Sequence, residues 1–181
     1  MQKLKLLLST TFALLSLSAP SLSQTIGEQA TYRVRRVIDG DTIEIDKKDN
    51  NGAYIDIRFA CVDTPETYRS YKNVPGYANQ SYWGNRATQR LSQLLQRSNS
   101  TISFTATSRS TYSRPVGEVR LRNGVLVQQV LAREGLAMID PSYLDTCSAA
   151  VQQAENQARQ RGLGVWGDSN FIPPWEFRPN Y

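Results

Sequence analysis

Tyr32 and Val34 alternate with Arg33 and Arg35, and Ile43 and Ile45 resume the alternation after an Asp39-Gly40 pair, so two half-buried strands are predicted, one over residues 32–38 and one around Ile43 and Ile45. Asp49-Asn50-Asn51-Gly52 reads as a turn. Ile55, Ile57, Phe59 and Cys61 then share one parity while Asp56 and Arg58 take the other, as in a strand with one core face and one polar face. Ile102, Phe104 and Ala106 supply a fourth strand, and Val116 to Leu121 a less regular fifth.

Helical spacing appears between and after these strands. Trp83, Ala87, Leu91, Leu94 and Leu95 fall on one face of a helix entered near Gly84, and Leu126 to Glu134 forms a second that Gly135 stops. A third begins near Asp145 and carries Cys147, Val151, Ala154 and Ala158 along one stripe, with Gly162 as its C-terminal cap. Three strands, a helix, two strands and two helices make an α+β domain. Five short strands with an intervening helix fit a five-stranded Greek-key β-barrel of the OB type with three helices. The stretch 168–181, with Pro173-Pro174 and Pro179, has no periodicity and is expected to lie on the surface as a Pro-rich tail.

The first 23 residues carry Lys3 and Lys5, an apolar run from Leu6 to Leu17 and small residues at Ser21 and Ser23, the pattern of a signal peptide cleaved after Ser23. The run is too short, and too interrupted by Ser9, Thr10 and Thr11, to span a bilayer. The expected organisation is a signal peptide over 1–23, an extension over 24–30, one domain over 31–167 and the tail. The mature protein would be secreted or periplasmic, without a membrane anchor, and monomeric.

A formal net charge of +5, two units of it from Lys3 and Lys5, points only weakly to polyanionic partners. The absence of histidine says more. It excludes a Ser-His-Asp triad, a His general base and His-ligated zinc, and two cysteines cannot make a sulfur-based zinc site. Catalysis would have to use carboxylates, Arg, Lys, Tyr, Ser or a hard metal. In an exported chain Cys61 and Cys147 are expected to form a disulfide linking the third strand to the last helix, both side chains facing packed surface.

Two acidic clusters bracket the third strand: Asp39-Gly40-Asp41-Thr42 before it, Asp63-Thr64-Pro65-Glu66-Thr67 at its end. Each alone is an ordinary turn or helix start. With Arg58 in mid-strand they bring a guanidinium and three carboxylates, Asp41, Asp63 and Glu66, toward one strand mouth. Phosphodiester hydrolysis needs such a set, because the anionic phosphate must be screened and water directed in line with the leaving oxygen. Oxygen-only ligands suit Ca²⁺ or Mg²⁺, and Arg meets phosphate oxygens bidentately.

These motifs resemble the staphylococcal nuclease (thermonuclease) family. Tyr112-Ser113-Arg114-Pro115-Val116-Gly117, Gly135-Leu136-Ala137 and Gly162-Leu163-Gly164-Val165-Trp166 extend the resemblance over residues 31–167. It implies that Asp41, Asp63 and the Thr64 carbonyl bind Ca²⁺, with Mg²⁺ or Mn²⁺ as alternatives. It further implies that Glu66 orients or deprotonates water, that Arg58 and Arg114 clamp the phosphate, and that Tyr112 and Tyr143 lie against the nucleotide. DNA and RNA would be substrates, cut to 3′-phosphate products, with no stable protein partner. Ser113 in place of the family's Gly, Ser110-Thr111, and the segment from Thr67 to Trp83 depart from the pattern and bear on substrate preference. A noncatalytic OB-type module that binds oligonucleotides has no use for three acids that repel phosphate unless a cation intervenes. A carbohydrate hydrolase using Glu66 and Asp63 leaves both arginines idle.

Overall fold

Five short alternating runs must each bury one face, and closing the sheet on itself does so without leaving an open edge. The computed structural model describes residues 29–68, 71–107 and 114–178. Its elements are β1 (Gln29–Val37), β2 (Thr42–Lys48), β3 (Tyr54–Phe59), β4 (Val62–Asp63), α1 (Tyr77–Arg97), β5 (Thr101–Ala106), β6 (Val116–Leu121), α2 (Val127–Arg133), β7 (Met138–Ile139), α3 (Ala149–Gln160) and α4 (Pro174–Phe177). Single 3-10 turns cover Pro141–Thr146 and Gly164–Gly167.

Five strands close into a barrel in the order β1-β2-β3-β6-β5, the α+β architecture of the OB type that the alternation predicts. Neighbours run antiparallel except β3 and β6, which pair in parallel with Arg58 opposite Val116. Ile43, Ile57, Phe59, Ile102 and Val119 are almost wholly removed from water in the core. Ala87, Leu91, Leu94 and Leu95 of α1 join the same core. β4 and β7 form a separate two-stranded sheet, with Asp63 opposite Met138.

Cys61 takes a φ of 61°, an uncommon left-handed conformation for a residue with a side chain, where the chain turns from β3 into β4. A disulfide joins it to Cys147, with Cα atoms 5.3 Å apart. Cys147 lies before α3 and not on its stripe, so the bond ties a turn to the segment preceding the helix, not a strand to a helix. Asp140 accepts a hydrogen bond from Ser142 N (2.9 Å) and caps a separate turn opening at Pro141, which delays α3 to Ala149.

Two other predicted boundaries move. α1 begins at Tyr77, not near Gly84, because its first turns bury only Gln80 and offer no apolar stripe. The expected surface tail is instead a strap ending in α4, a fourth helix. Phe177 is buried and meets Tyr71 edge-on with ring centroids 5.6 Å apart, and Pro174 is buried beside it. Gln80 Nε2 donates to Ile172 O (2.5 Å), and Trp83 Nε1 donates to Asp168 (2.9 Å). Four residues cannot display a helical period, so sequence patterning is blind to this segment.

Candidate active site

The register of β2 against β3 sets Thr42 opposite Arg58, which brings the turn holding Asp41 beside the guanidinium. The next acids come from β4 and the loop after it, packed between that turn and α1. Small residues make the sandwich possible. A Cβ on Gly40 would lie 2.7 Å from Ala87 Cβ and 2.8 Å from Thr64 Oγ1, and one on Gly84 would lie 2.4 Å from Pro65 O. Neither could be accommodated without moving the acidic loop.

Arg58 spans the two carboxylates. Its Nη1 donates to Asp41 Oδ1 (2.8 Å) and its Nη2 to Asp63 Oδ1 (2.7 Å). Asp41 Oδ2 accepts from Thr64 N (2.8 Å) and Thr64 Oγ1 (3.1 Å). Asp63 Oδ2 accepts from Arg178 Nη2, and Arg178 Nε stands 3.4 Å from Glu66 Oε1. Glu66 N donates to Gln80 Oε1 (3.0 Å). Asp39 is a further acid at the rim, its Oδ1 accepting from Asp41 N (3.1 Å) and its Oδ2 from Tyr68 (3.3 Å). Asp41 and Asp63 side chains are only 2% and 3% exposed while Arg58 is 22% exposed, so the acids are fixed and the guanidinium remains within reach of a ligand.

Burial dominates the protonation equilibria of the acids, and neighbouring charges of both signs adjust them. Burial and then Asp41 push Asp39 up to about 6. Burial raises Glu66 to about 7, Arg178 opposing the rise and Asp63 adding to it. Asp63 is raised by burial and Asp41, with Arg58 and Arg178 acting against them. Burial lowers Arg58, but Asp41 and Asp63 outweigh it and hold the guanidinium firmly charged.

Two cavities meet at this cluster. One of about 160 Å³ is lined by Asp39, Asp41, Asp63, Thr64 and Glu66, and a second of about 260 Å³ by Asp140, Tyr143, Thr146 and Val116. Arg58, Arg114 and Arg178 line both. The structure thus brings together Asp41, Arg58, Asp63, Thr64 and Glu66, with Arg114 at the junction and Tyr143 in the second cavity. Tyr112 lies outside the described residues. The sequence reading leaves out Arg178, Asp39 and Gln80. Asp39 sits inside a motif already singled out, whereas nothing in the pattern around Arg178 distinguishes it.

Among the described residues no three Asp, Glu, Cys or His side chains are arranged to hold a metal by themselves. Asp41, Asp63 and the Thr64 carbonyl together nonetheless fit a hard cation, because the cavity gathers four buried acids against three guanidiniums and these ligands are all oxygen.

Fold and site together define a small OB-type barrel with an arginine-bridged acid cluster at its rim, a constellation suited to phosphate esters. A sequence model described as staphylococcal nuclease homologue matches residues 56–168, and the chain belongs to the staphylococcal nuclease family. The match takes in Arg58, Asp63, Thr64, Glu66 and Arg114, while Asp41 and Arg178 fall outside it. The chain is 32% identical over 146 residues to an uncharacterized endonuclease of Escherichia coli O157:H7, covering 81% of this chain and 83% of that protein. It is 29% identical over 175 residues to a micrococcal nuclease of Shigella flexneri, covering 91% and 86%. A thermonuclease of Staphylococcus hyicus is 30% identical over 143 residues, covering 77% and 78%.

Proposed function

We propose that this chain is an exported, divalent-cation-dependent endonuclease that hydrolyses phosphodiester bonds of DNA and RNA and leaves 3′-phosphate ends. The observation that carries the reading is Arg58, which bridges Asp41 and Asp63 beside Glu66 in a chain of the staphylococcal nuclease family. Asp41, Asp63 and the Thr64 carbonyl would hold Ca²⁺, with Mg²⁺ or Mn²⁺ as alternatives. When bound, such a cation supplies charge screening and Lewis-acid polarisation at the phosphate.

The chain's own groups do the rest. Arg58 and Arg114 line both cavities, so a phosphate at the junction meets two planar donors that match its oxygens and complement the charge gained at phosphorus. Burial raises Glu66 to about 7 in the metal-free protein, and a cation bound beside it would favour the carboxylate, the form a general base for water requires. Its backbone is fixed by buried Gln80, which limits the directions in which the carboxylate can point. Tyr143, 39% exposed at the edge of the second cavity, offers a ring face to a nucleoside. The apolar run and small residues at 1–23 support export to the periplasm or the medium.

The direct test incubates purified protein with single-stranded DNA, duplex DNA and RNA in Ca²⁺, Mg²⁺, Mn²⁺ or chelator and identifies product ends. Cation-dependent cleavage to 3′-phosphates is expected. Binding without cleavage in every cation, or full activity in excess chelator, overturns the proposal. Amino-terminal sequencing of exported protein, expected to begin at Gln24, tests the leader.

A further inference from the structure

The strap formed by residues 168–178 is held to α1 by Asp168 and Ile172 and seated by Phe177, and it ends by delivering Arg178 to the acid cluster. Arg178 Nε donates to Pro174 O (3.2 Å), folding the side chain back over α4, while Nη2 reaches Asp63 and Nε faces Glu66. Asp63 therefore has both oxygens taken by guanidiniums, one from Arg58 and one from Arg178. Burying a carboxylate this deeply without a counter-charge is costly, so one cation must stay against it.

We propose that Arg178 is a tethered counter-cation of the active site, neutralising Asp63 and Glu66 in the metal-free protein and giving up these contacts when a divalent ion binds. The inference rests on the cation site assigned above. A side chain 34% exposed at the end of a short helix can swing away at little cost, whereas Arg58, next to last in β3, is held by pairing on both sides. Gln80 couples the two parts, since it accepts from the Glu66 backbone and donates to the strap at Ile172. The strap thus sets the apparent affinity of the site. If Arg178 occupies the acids about nine-tenths of the time, the cation binds about tenfold more weakly than to the open site.

Calorimetric Ca²⁺ titration of the wild type, R178K, R178Q and D41N, with melting of each in chelator and in saturating Ca²⁺, tests this. R178Q is expected to bind Ca²⁺ about tenfold more tightly than wild type, with R178K between. R178Q should also melt below wild type in chelator but not in saturating Ca²⁺. Equal affinities for wild type and R178Q, with D41N weaker, would leave the cation site standing and overturn the exchange. Weaker binding by R178Q would make Arg178 a support of the site and equally overturn it. If none of the four binds Ca²⁺, Mg²⁺ or Mn²⁺, the cation site itself fails, and the exchange with it.

Discussion

Arg58 shows how much geometry a single side chain can carry. Its two Nη atoms reach different acids, a span that one ammonium cannot reproduce. R58K should therefore lower kcat by about one to two powers of ten despite its retained charge, measured on single-stranded DNA at saturating substrate. Glu66 makes a second prediction, on stability. Raised from 4.5 to about 7, it binds its proton more tightly in the folded chain than in the unfolded one. Its contribution is full below pH 4.5 and is lost as pH rises through about 7. In chelator, E66Q should thus be more stable than wild type at pH 8, on the order of 1–3 kcal/mol, and the gap should close toward pH 5, as urea unfolding would show.

At the scale of elements, the acidic loop depends on what lies above and below it. G40A should destabilise the protein by about 1–3 kcal/mol, since the new methyl meets Ala87 and Thr64 inside normal contact distance. Q80A would strip the Glu66 N–H of its buried acceptor, and a loss of about 1–3 kcal/mol in chemical denaturation is expected. The barrel strands were legible because apolar residues recur at alternate positions, even in β2, where Thr42 to Ile45 are all buried, and Asp41, Arg58, Asp63 and Glu66 were legible because they stand in short motifs beside those strands. The helix starts were less so: Tyr77 to Tyr82 shows no apolar stripe, and Cys147 falls on helical spacing without being in a helix. Arg178 was illegible for a physical reason. Its placement comes from Phe177 against Tyr71 and from Gln80 on a distant helix, tertiary contacts that leave no period in the strap itself.

For the molecule as a whole, the disulfide closes a loop with a sequence separation of 86 residues, for which chain entropy gives an upper stabilisation of about 4–5 kcal/mol. Reduction should lower Tm by several degrees, and because Cys61 lies two residues before Asp63, it should also weaken Ca²⁺ binding. An unchanged Tm in reductant would remove that role. The β4–β7 pairing has a different consequence, one of timing. Asp63 is held opposite Met138, and β1 cannot complete its pairing before β5 exists, so the acids and Arg58 leave the ribosome before the strands that complete their surroundings. A partly made chain has the carboxylates but no pocket. Under the proposed activity, cleavage waits on β7, and a chain truncated before Met138 is expected to leave single-stranded DNA uncut.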